Sequence, residues 1–314
     1  MKYGFGIDLG GTTVKLAYFN EEGLLLDKWE IPTRSQDGGR QILPDIAQAV
    51  ADYLEKHRIP REQILGLGIG VPGPVSRDGV VNKCVNLGWG VLPIEKQLRE
   101  LTGFPVKAGN DANVAALGEA WKGGGMGYES LVMATLGTGV GGGIILDGKI
   151  LYGARGAAGE IGHMVLNRKE TLVCGCGKKG CVEQYCSASG IARTAREQLA
   201  SHEKPSSLRT VADVTAKDVF DASAAGDEVA KEILETVYDR LAEFTANLAN
   251  CFDPEAIVLG GGVSKAGPVL LEGIARHFKK YVFHAMADVK FVLATLGNDA
   301  GAYGAFKLVL DQAV

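Results

Sequence analysis

The sequence predicts an α/β protein made of two related domains. Three observations support this prediction. Short apolar stretches come first in the chain and later alternate with helical patterns, the order typical of α/β domains. Most of these stretches run into glycine clusters, where the backbone turns sharply or approaches a ligand closely. The length of 314 residues also exceeds what most single hydrophobic cores contain.

The elements of the first half follow from the spacing of apolar residues. Alternating apolar residues predict strands, and apolar residues three and four positions apart predict helices, as in the stripe that begins Ile42, Ile46, Val50. In chain order, the predicted elements are strands 2–9, 14–18 and 24–29, helix 41–57, strand 64–71, helix 94–102, strand 106–108 and helix 114–122. Gly123–Gly127, with four glycines and one methionine, predicts a hinge between the domains.

The second half contains the clearest helix, predicted over 227–249. Its apolar face begins with Val229, Ile233 and Val237 and continues to Leu248. The region 200–218 is polar and is predicted to be irregular. The other predicted elements are strands 130–136, 143–146 and 256–259, helix 270–278, strand 289–293 and helix 299–310. We expect one domain to comprise residues 1–117 plus 299–314, and the other to comprise 118–298.

Composition and charge narrow the range of partners. The net charge of −4 gives no electrostatic reason to expect nucleic acid or an anionic membrane as partner. The sequence has no stretch close to the ~20 apolar residues of a membrane-spanning helix. Its first residues lack the long apolar segment of a signal peptide. We therefore expect a cytoplasmic protein that binds neither nucleic acid nor membranes.

Three cysteines and one histidine within nineteen residues predict a zinc site. Three thiols and one imidazole complete a tetrahedral set, which is typical of a structural zinc ion with no open position. Glu160 and Glu183 flank this group, so the metal would hold two carboxylates in a fixed relation. The predicted ligands are His163, Cys174, Cys176 and Cys181.

Three glycine-rich turns predict phosphate binding: Gly10–Thr13, Gly137–Gly141 and Gly260–Ser264. Successive main-chain N–H groups in such turns form concavities that bind anions, and threonine hydroxyls add donors. Taken singly, each of these stretches is equally well explained as an ordinary turn that binds no ligand. Three of them in a chain that also contains Asp8 favour phosphate binding. Two strings of the dinucleotide-binding type, 68–73 and 137–142, are set aside because neither opens a helix.

Together these motifs resemble a known family. Asp8-Leu-Gly-Gly-Thr12, after the first strand, is similar to the first phosphate loop of the sugar kinase, actin and heat-shock ATPase superfamily. Within it, the chain resembles the ROK family of sugar kinases and related repressors from residue 5 to about 306. The segments that carry the resemblance are Gly70–Gly73, Asn110–Asn113, Leu136–Gly142, Glu160–His163, Cys174–Glu183, Gly260–Gly262 and Ala302–Ala305.

The resemblance implies a fold and a function. The fold would consist of two ribonuclease-H-like (actin-like ATPase) domains with an active-site cleft between them, closing about Gly123–Gly127, in a homodimer. The function would be ATP-dependent phosphorylation of a hexose, with glucose favoured and Mg²⁺ as cofactor. Kinases of fructose, N-acetylmannosamine or mannose are alternatives, and ADP and polyphosphate are alternative donors. A sugar-responsive ROK regulator is disfavoured, because such regulators carry an N-terminal helix-turn-helix and this phosphate loop begins at Asp8.

The resemblance also implies roles for individual residues. Asp111 would accept the proton of the sugar hydroxyl, as phosphoryl transfer requires, although a helix cap is its alternative role. His163 would bind zinc and turn its second ring nitrogen toward the sugar. The residues expected to bind the sugar are Gly73, Asn86, Asn110, Asp111, Glu160, His163 and Glu183. Those expected to bind ATP and Mg²⁺ are Asp8, Gly10, Gly11, Thr12, Thr13, Lys15, Gly137, Thr138, Gly139, Gly260, Gly261 and Gly262.

Overall fold

Two five-stranded sheets and ten helices make up residues 1–312, the part of the chain that the computed structural model describes. The strands are β1 (Tyr3–Leu9), β2 (Thr13–Asn20), β3 (Leu25–Pro32), β4 (Ile64–Val71), β5 (Val106–Asn110), β6 (Leu131–Leu136), β7 (Val140–Leu146), β8 (Lys149–Ile150), β9 (Ala256–Gly260) and β10 (Lys290–Leu293). The helices are α1 (Gln36–Gly39), α2 (Ile42–His57), α3 (Ile94–Thr102), α4 (Asp111–Lys122), α5 (Glu183–Cys186), α6 (Ala188–Ser201), α7 (Ala216–Ala224), α8 (Glu228–Phe252), α9 (Pro268–Phe278) and α10 (Ala300–Leu310). Ala313 and Val314, the last residues of the predicted first domain, lie outside the described residues.

The first sheet has the strand order β3-β2-β1-β4-β5. Strands β1, β2 and β3 form the predicted antiparallel meander, while β4 is parallel to both β1 and β5. Apolar side chains of the sheet, such as Phe5, Ile7 and Leu67, are fully buried. Because β1, β4 and β5 run in the same direction, their carboxyl ends share one edge of the sheet, called here the first carboxyl edge.

Helix α10 packs closely against this sheet and against α4. A Cβ at Gly68 of β4 would lie 1.7 Å from the carbonyl oxygen of Ala305. A Cβ at Gly304 of α10 would lie 1.6 Å from the carbonyl oxygen of Val114. Any side chain at either position would overlap main-chain atoms, so glycine is required for this close approach.

The second sheet has the strand order β10-β9-β6-β7-β8. Strand β9 is parallel to β6 and to β10, so the carboxyl ends of β6 and β9 share what is called here the second carboxyl edge. Strand β7 begins at Val140 rather than at the predicted residue 143. Helix α8 buries the predicted apolar face, which includes Val229, Ile233 and Val237.

The chain forms two compact units. The first comprises Met1–Gly127, Gly143–Gly159 and the described chain from Leu296 onward, and the second comprises Tyr128–Gly142 and Glu160–Thr295. Residues 118–127, 143–159 and 296–298 thus lie in the first unit, whereas the predicted division placed them in the second domain. Part of the difference arises because α4 continues without a break to Lys122.

Most predicted elements are confirmed, with shifts of a few residues at their ends, and β4 and α3 have the predicted bounds. The prediction that 200–218 is irregular is wrong at both ends, because α6 continues to Ser201 and α7 begins at Ala216. The Thr215 hydroxyl and the Asp218 carboxylate each bond the other's main-chain N–H, and this capping box starts the helix. The sequence patterns did not predict α1, α5, α6 or β8.

Candidate active site

The first carboxyl edge gathers several of the expected site residues. In the register of the parallel strands, Asp8 of β1 pairs with Gly70 of β4. The next residue of β4, Val71, pairs with Asn110 of β5. Asp111 follows as the first residue of α4. The edge therefore carries two carboxylates and one amide, at the place where parallel sheets most often bind ligands.

The first glycine turn, Gly10–Thr13, is held at its base and exposed at its tip. The main-chain N–H of Gly10 donates to the carbonyl of Thr13 at 3.0 Å. Thr33 donates twice, from its hydroxyl to the carbonyl of Gly10 at 2.8 Å and from its N–H to the carbonyl of Thr12 at 2.9 Å. Gly11 and Thr12 are exposed. An ordered turn with an exposed tip is suited to binding an anion by its main-chain N–H groups.

Asp8 is a partly buried carboxylate. Its side chain is 23% exposed, and Nζ of Lys15 lies 3.6 Å from its Oδ2. Burial raises the pKa of Asp8, and the positive charge of Lys15 opposes this shift. A Cβ at Gly301 would lie 3.0 Å from Cγ of Asp8, so the first turn of α10 passes beside the carboxylate. A carboxylate in such a position suits Mg²⁺, which prefers oxygen ligands.

Asn110, rather than Asp111, caps helix α4. The side-chain oxygen of Asn110 accepts a hydrogen bond from the N–H of Asn113 at 3.1 Å, and its amide group donates to the carbonyl of Gly73 at 3.1 Å. Asp111 lies in the first turn of the helix, near the positive end of the helix dipole. The cap that was the alternative role of Asp111 is therefore supplied by its neighbour.

The loop after β4 carries Gly73 and Asn86. Gly73 has a φ of +93°, and a Cβ there would lie 2.8 Å from the carbonyl oxygen of Lys83. Asn86 is exposed in a single 3₁₀ turn, Val85–Leu87. Burial raises the pKa of the Cys84 thiol, and the negative charge of Asp111 adds to that shift. The hydrogen bond from Asn110 to the carbonyl of Gly73 brings the start of α4 to this loop.

The second and third glycine turns meet at the second carboxyl edge. Thr135 of β6 pairs with Gly260 of β9, so the turns that follow these strands are neighbours. Gly261 has a φ of +80°, and a Cβ there would lie 2.7 Å from main-chain atoms of Leu136. In the second turn, the N–H of Gly137 donates to the carbonyl of Gly139 at 3.0 Å. The structure thus brings together two of the three turns predicted to bind phosphate.

The predicted zinc ligands also come together. The ligand atoms of His163, Cys174, Cys176 and Cys181 all lie within 4.8 Å of one another. The two sulfurs of Cys176 and Cys181 are 3.6 Å apart, and Sγ of Cys174 is 3.9 Å from Nδ1 of His163. A tetrahedral zinc ion with bonds of about 2.3 Å separates its ligands by about 3.8 Å. The four side chains therefore fit a structural zinc ion.

The two ring nitrogens of His163 face different neighbours. Nδ1 faces the thiol of Cys174, whereas Nε2 lies 3.9 Å from Oε2 of Glu160. The side chains of His163 and Glu160 are 36% and 54% exposed. Nδ1 is thus placed to bind the metal, while Nε2 lies beside an accessible carboxylate. This geometry favours the expected dual role of the histidine over that of a core residue.

Glu183 links the cysteine cluster to the second glycine turn. Its Oε2 accepts a hydrogen bond from the N–H of Val140 at 3.2 Å, and its Oε1 accepts one from the Cys174 thiol at 3.5 Å. A Cβ at Gly139 would lie 2.1 Å from Oε2 of Glu183. The missing side chain at Gly139 therefore makes room for the carboxylate.

The comparison with protein families agrees with these motifs. The model of the ROK family matches residues 4–312. The chain belongs to the ROK family. A glucokinase from Halalkalibacterium halodurans is 47% identical over 313 residues, which cover 98% of this chain and 94% of the relative.

Solved ROK structures confirm the α/β, actin-like ATPase fold. A ROK family glucokinase from Streptomyces griseus, in complex with glucose and AMPPNP, is 32% identical, has a TM-score of 0.74 and is matched over 98% of both chains. A ROK hexokinase from Thermus thermophilus is 31% identical with a TM-score of 0.81, over 99% of this chain and 100% of that one.

The residues that the ROK resemblance singled out fall into two groups, one in each unit. The first unit contains Asp8, Gly10, Gly11, Thr12, Thr13, Lys15, Gly73, Asn86, Asn110 and Asp111. The second contains Gly137, Thr138, Gly139, Glu160, His163, Cys174, Cys176, Cys181, Glu183, Gly260, Gly261 and Gly262.

None of the helices in residues 1–312 combines the length and the apolar character required to cross a membrane.

Sequence reasoning missed Thr33, which binds the first glycine turn of this ROK protein. No motif marks it, because it lies twenty residues beyond the turn. The pairing of Thr13 with Pro32 in β2 and β3 brings it there. Only knowledge of the strand register could have identified this residue.

Proposed function

We propose that this ROK protein is a glucokinase, which transfers the γ-phosphoryl group of ATP to glucose and forms glucose 6-phosphate. The relative that is 47% identical is a glucokinase, and the similar Streptomyces griseus structure holds glucose and AMPPNP. The observation that carries the proposal is the first carboxyl edge, which combines Asp8, an exposed glycine turn and Asp111.

Asp111 is the general base in this proposal. Its carboxylate accepts the proton of the sugar 6-hydroxyl while that oxygen forms a bond to the γ-phosphorus and the bond to ADP breaks. Two observations support the assignment. Asp111 lies in the first turn of α4, near the positive end of the helix dipole, and Asn110 supplies the cap of that helix.

The other hydroxyls of the sugar are assigned to side chains that can donate or accept hydrogen bonds. Exposure of Glu160 and His163 supports their assignment. Glu183 is supported by its fixed position against the second glycine turn. The full set proposed to bind the sugar is Gly73, Asn86, Asn110, Asp111, Glu160, His163 and Glu183.

The phosphates are assigned to the glycine turns. Gly10–Thr13 and Gly137–Gly139 would bind the β- and γ-phosphates by main-chain N–H groups, with Lys15 nearby, and Gly260–Gly262 would lie at the adenosine. Asp8 is the residue that would hold Mg²⁺, which neutralises charge on the phosphate oxygens when bound.

A structural zinc ion is proposed at His163, Cys174, Cys176 and Cys181, on the strength of their tetrahedral spacing. Reduced thiols that serve as metal ligands fit a protein of the reducing cytoplasm. Phosphorylation of glucose by ATP fits a role in glycolysis.

We further propose a homodimer, which light scattering of the purified protein tests directly. A monomeric mass at assay concentrations would contradict it.

The decisive experiment is a coupled assay of phosphoryl transfer over a panel of sugars. Glucose with ATP is expected to give the highest kcat/KM, ahead of fructose, mannose and N-acetylmannosamine. ADP and polyphosphate are tested as donors in the same assay. A higher kcat/KM for another hexose would reassign the substrate. Binding of glucose without turnover by any donor would favour a sugar-responsive regulator instead.

A further inference from the structure

One carboxylate in the loop between the first two predicted zinc ligands is largely buried, although its neighbours are exposed. The loop spans residues 164–173. Lys169, Thr171 and Leu172 are exposed, whereas the side chain of Glu170 is only 10% exposed. Burying a charge is unfavourable unless partners compensate for the lost hydration. The position of Glu170 therefore calls for an explanation in its contacts.

Glu170 has four partners. Its Oε1 accepts hydrogen bonds from the main-chain N–H groups of Thr171 at 2.8 Å and Leu172 at 3.0 Å. Its Oε2 accepts one from the Tyr185 hydroxyl and pairs with the Arg193 guanidinium at 2.9 Å. The hydrogen bond from Tyr185 is the main cause that lowers the pKa of Glu170 to about 2. The carboxylate thus ties its own loop to α5 and α6.

Tyr185 is fixed in turn by two other helices. Its side chain is buried, and two guanidinium groups lie over its ring: that of Arg193 of α6 at 4.8 Å from the ring centroid and that of Arg240 of α8 at 4.7 Å. Cation–π contacts of this kind stabilise the position of an aromatic ring. The amide group of Asn167 also donates to the Tyr185 hydroxyl at 3.0 Å. Two loop residues therefore converge on one anchored hydroxyl.

Three consecutive side chains of α5 hold three different segments. Glu183 binds the second glycine turn, and Tyr185 binds the loop through Glu170. Between them, the side-chain oxygen of Gln184 accepts hydrogen bonds from the N–H groups of Gly180 at 2.8 Å and Cys181 at 3.1 Å. Movement of α5 would therefore move Glu183, whose carboxylate is assigned to the sugar.

We propose that Glu170 is a positioning residue for the sugar site. Through Tyr185 and Arg193 it fixes the loop and α5, and so holds Glu183 in place independently of the metal ligands. The effect on sugar binding rests on the proposed function. The effect on the loop does not, because it concerns only contacts within the second unit.

The test compares Glu170→Gln with Glu197→Gln in the full-length protein. Glu197 is a matched control, since its carboxylate is 57% exposed and lies 3.6 Å from Nε of the same Arg193. In Glu170→Gln, amide hydrogen exchange of the 164–173 peptide is expected to be about tenfold faster. KM for glucose is expected to rise about tenfold, while KM for ATP and kcat stay within about twofold. Glu197→Gln should leave all four values unchanged.

A second variant, Tyr185→Phe, removes the hydroxyl and keeps the stacked ring. It should reproduce both effects, and the double variant should add little, because both changes break the same hydrogen bond. Unchanged exchange in both variants would overturn the proposal. Faster exchange with an unchanged KM for glucose would overturn the link to Glu183. Absence of glucose phosphorylation in the wild type would contradict the proposed function, and the exchange comparison would still decide the role of Glu170 in the loop.

Discussion

The two units hold their expected site residues in different ways. In the first unit, Asp8 and Asn110 lie at the ends of paired parallel strands, so the register of the sheet positions their side chains. In the second, Glu160 and Glu183 lie at the two ends of a loop that contains the predicted metal ligands. Strand pairing positions a side chain without further help, whereas a loop needs added cross-links, which here are the cysteine cluster and the Glu170 contacts.

The surroundings of a carboxylate also have opposite effects on its charged form in the two units, as Asp8 and Glu170 show. Burial raises the pKa of Asp8, so its charged form is disfavoured by its surroundings. Hydrogen bonds lower the pKa of Glu170 to about 2, so its charged form is favoured. The charge of Asp8, the residue proposed to hold Mg²⁺, is thus destabilising when no cation is bound, whereas the charge of Glu170 is stabilising.

The largest expected effect in the first unit is that of Asp111→Ala. Removal of the proposed general base should lower kcat about 10³-fold, while glucose binding measured by calorimetry should persist because the other residues proposed to bind its hydroxyls are unchanged. The coupled assay measures kcat, and circular dichroism verifies the fold. Asp78→Ala, which removes an exposed carboxylate of the same unit, serves as the control. Turnover within about tenfold of the wild type would remove Asp111 as the base.

The corresponding test of the second unit is Cys176→Ser. A hydroxyl is a poor zinc ligand, so elemental analysis should find about one zinc ion per chain in the wild type and almost none in the variant. The melting temperature should fall as well, because binding of a structural metal adds to folding stability. Cys251→Ser changes another exposed cysteine, outside the cluster, and should keep the metal. Stoichiometric zinc in Cys176→Ser would contradict the assigned ligand set.

A smaller effect is expected from Gly139→Ala, which changes only the space beside Glu183. The new methyl carbon would lie 2.1 Å from the carboxylate, which must then move. We expect kcat/KM for glucose to fall about 10- to 100-fold, the loss typical of a displaced binding group. Gly90→Ala is the control, since, among the described residues other than Gly90 and its two chain neighbours, no heavy atom lies within 4 Å of the added Cβ. Equal kinetics for the two variants would show that Glu183 has no role in the sugar site.

The smallest effect concerns stability and has opposite signs in the two units. The folded-state pKa of Asp8 is raised above the ordinary value of 3.8. The contribution of Asp8 to folding stability is therefore favourable below pH 3.8 and is lost as the pH rises through the folded-state pKa. Without Mg²⁺, Asp8→Asn should therefore melt higher than the wild type at neutral pH, and the difference should shrink as the pH falls toward about 4.

For Glu170 the sign is reversed, because its folded-state pKa is lowered to about 2. The contribution of Glu170 to folding stability is present above its ordinary pKa of 4.5 and is lost as the pH falls toward 2. The Glu170→Gln variant should therefore have a lower melting temperature than the wild type at neutral pH. Calorimetric melting curves from about pH 4 to pH 8 measure both variants. If Asp8→Asn had a lower melting temperature than the wild type at neutral pH, the inference that the charged carboxylate of Asp8 destabilises the fold would be wrong.

The sequence by itself determined much of this protein. The pattern of apolar residues predicted β4, α3 and α8. Strand β4 is a short apolar run that is buried on both faces, whereas α3 and α8 each bury one apolar face. The order of the glycine turns and the Cys-Gly-Cys motif was sufficient for the family, which the comparison confirmed. The cysteine cluster was also predictable, because three of its four ligands are close neighbours in the chain.

Tertiary structure alone decided the contacts between residues distant in the chain. Thr33 reaches the first glycine turn through strand register, and Glu183 reaches Val140 through a gap left by Gly139. A helix cap was the alternative role of Asp111, and the structure shows that Asn110 caps α4 instead. The physical reason is common to all three. A motif records which groups are present, whereas the packing of strands and helices decides which of those groups meet.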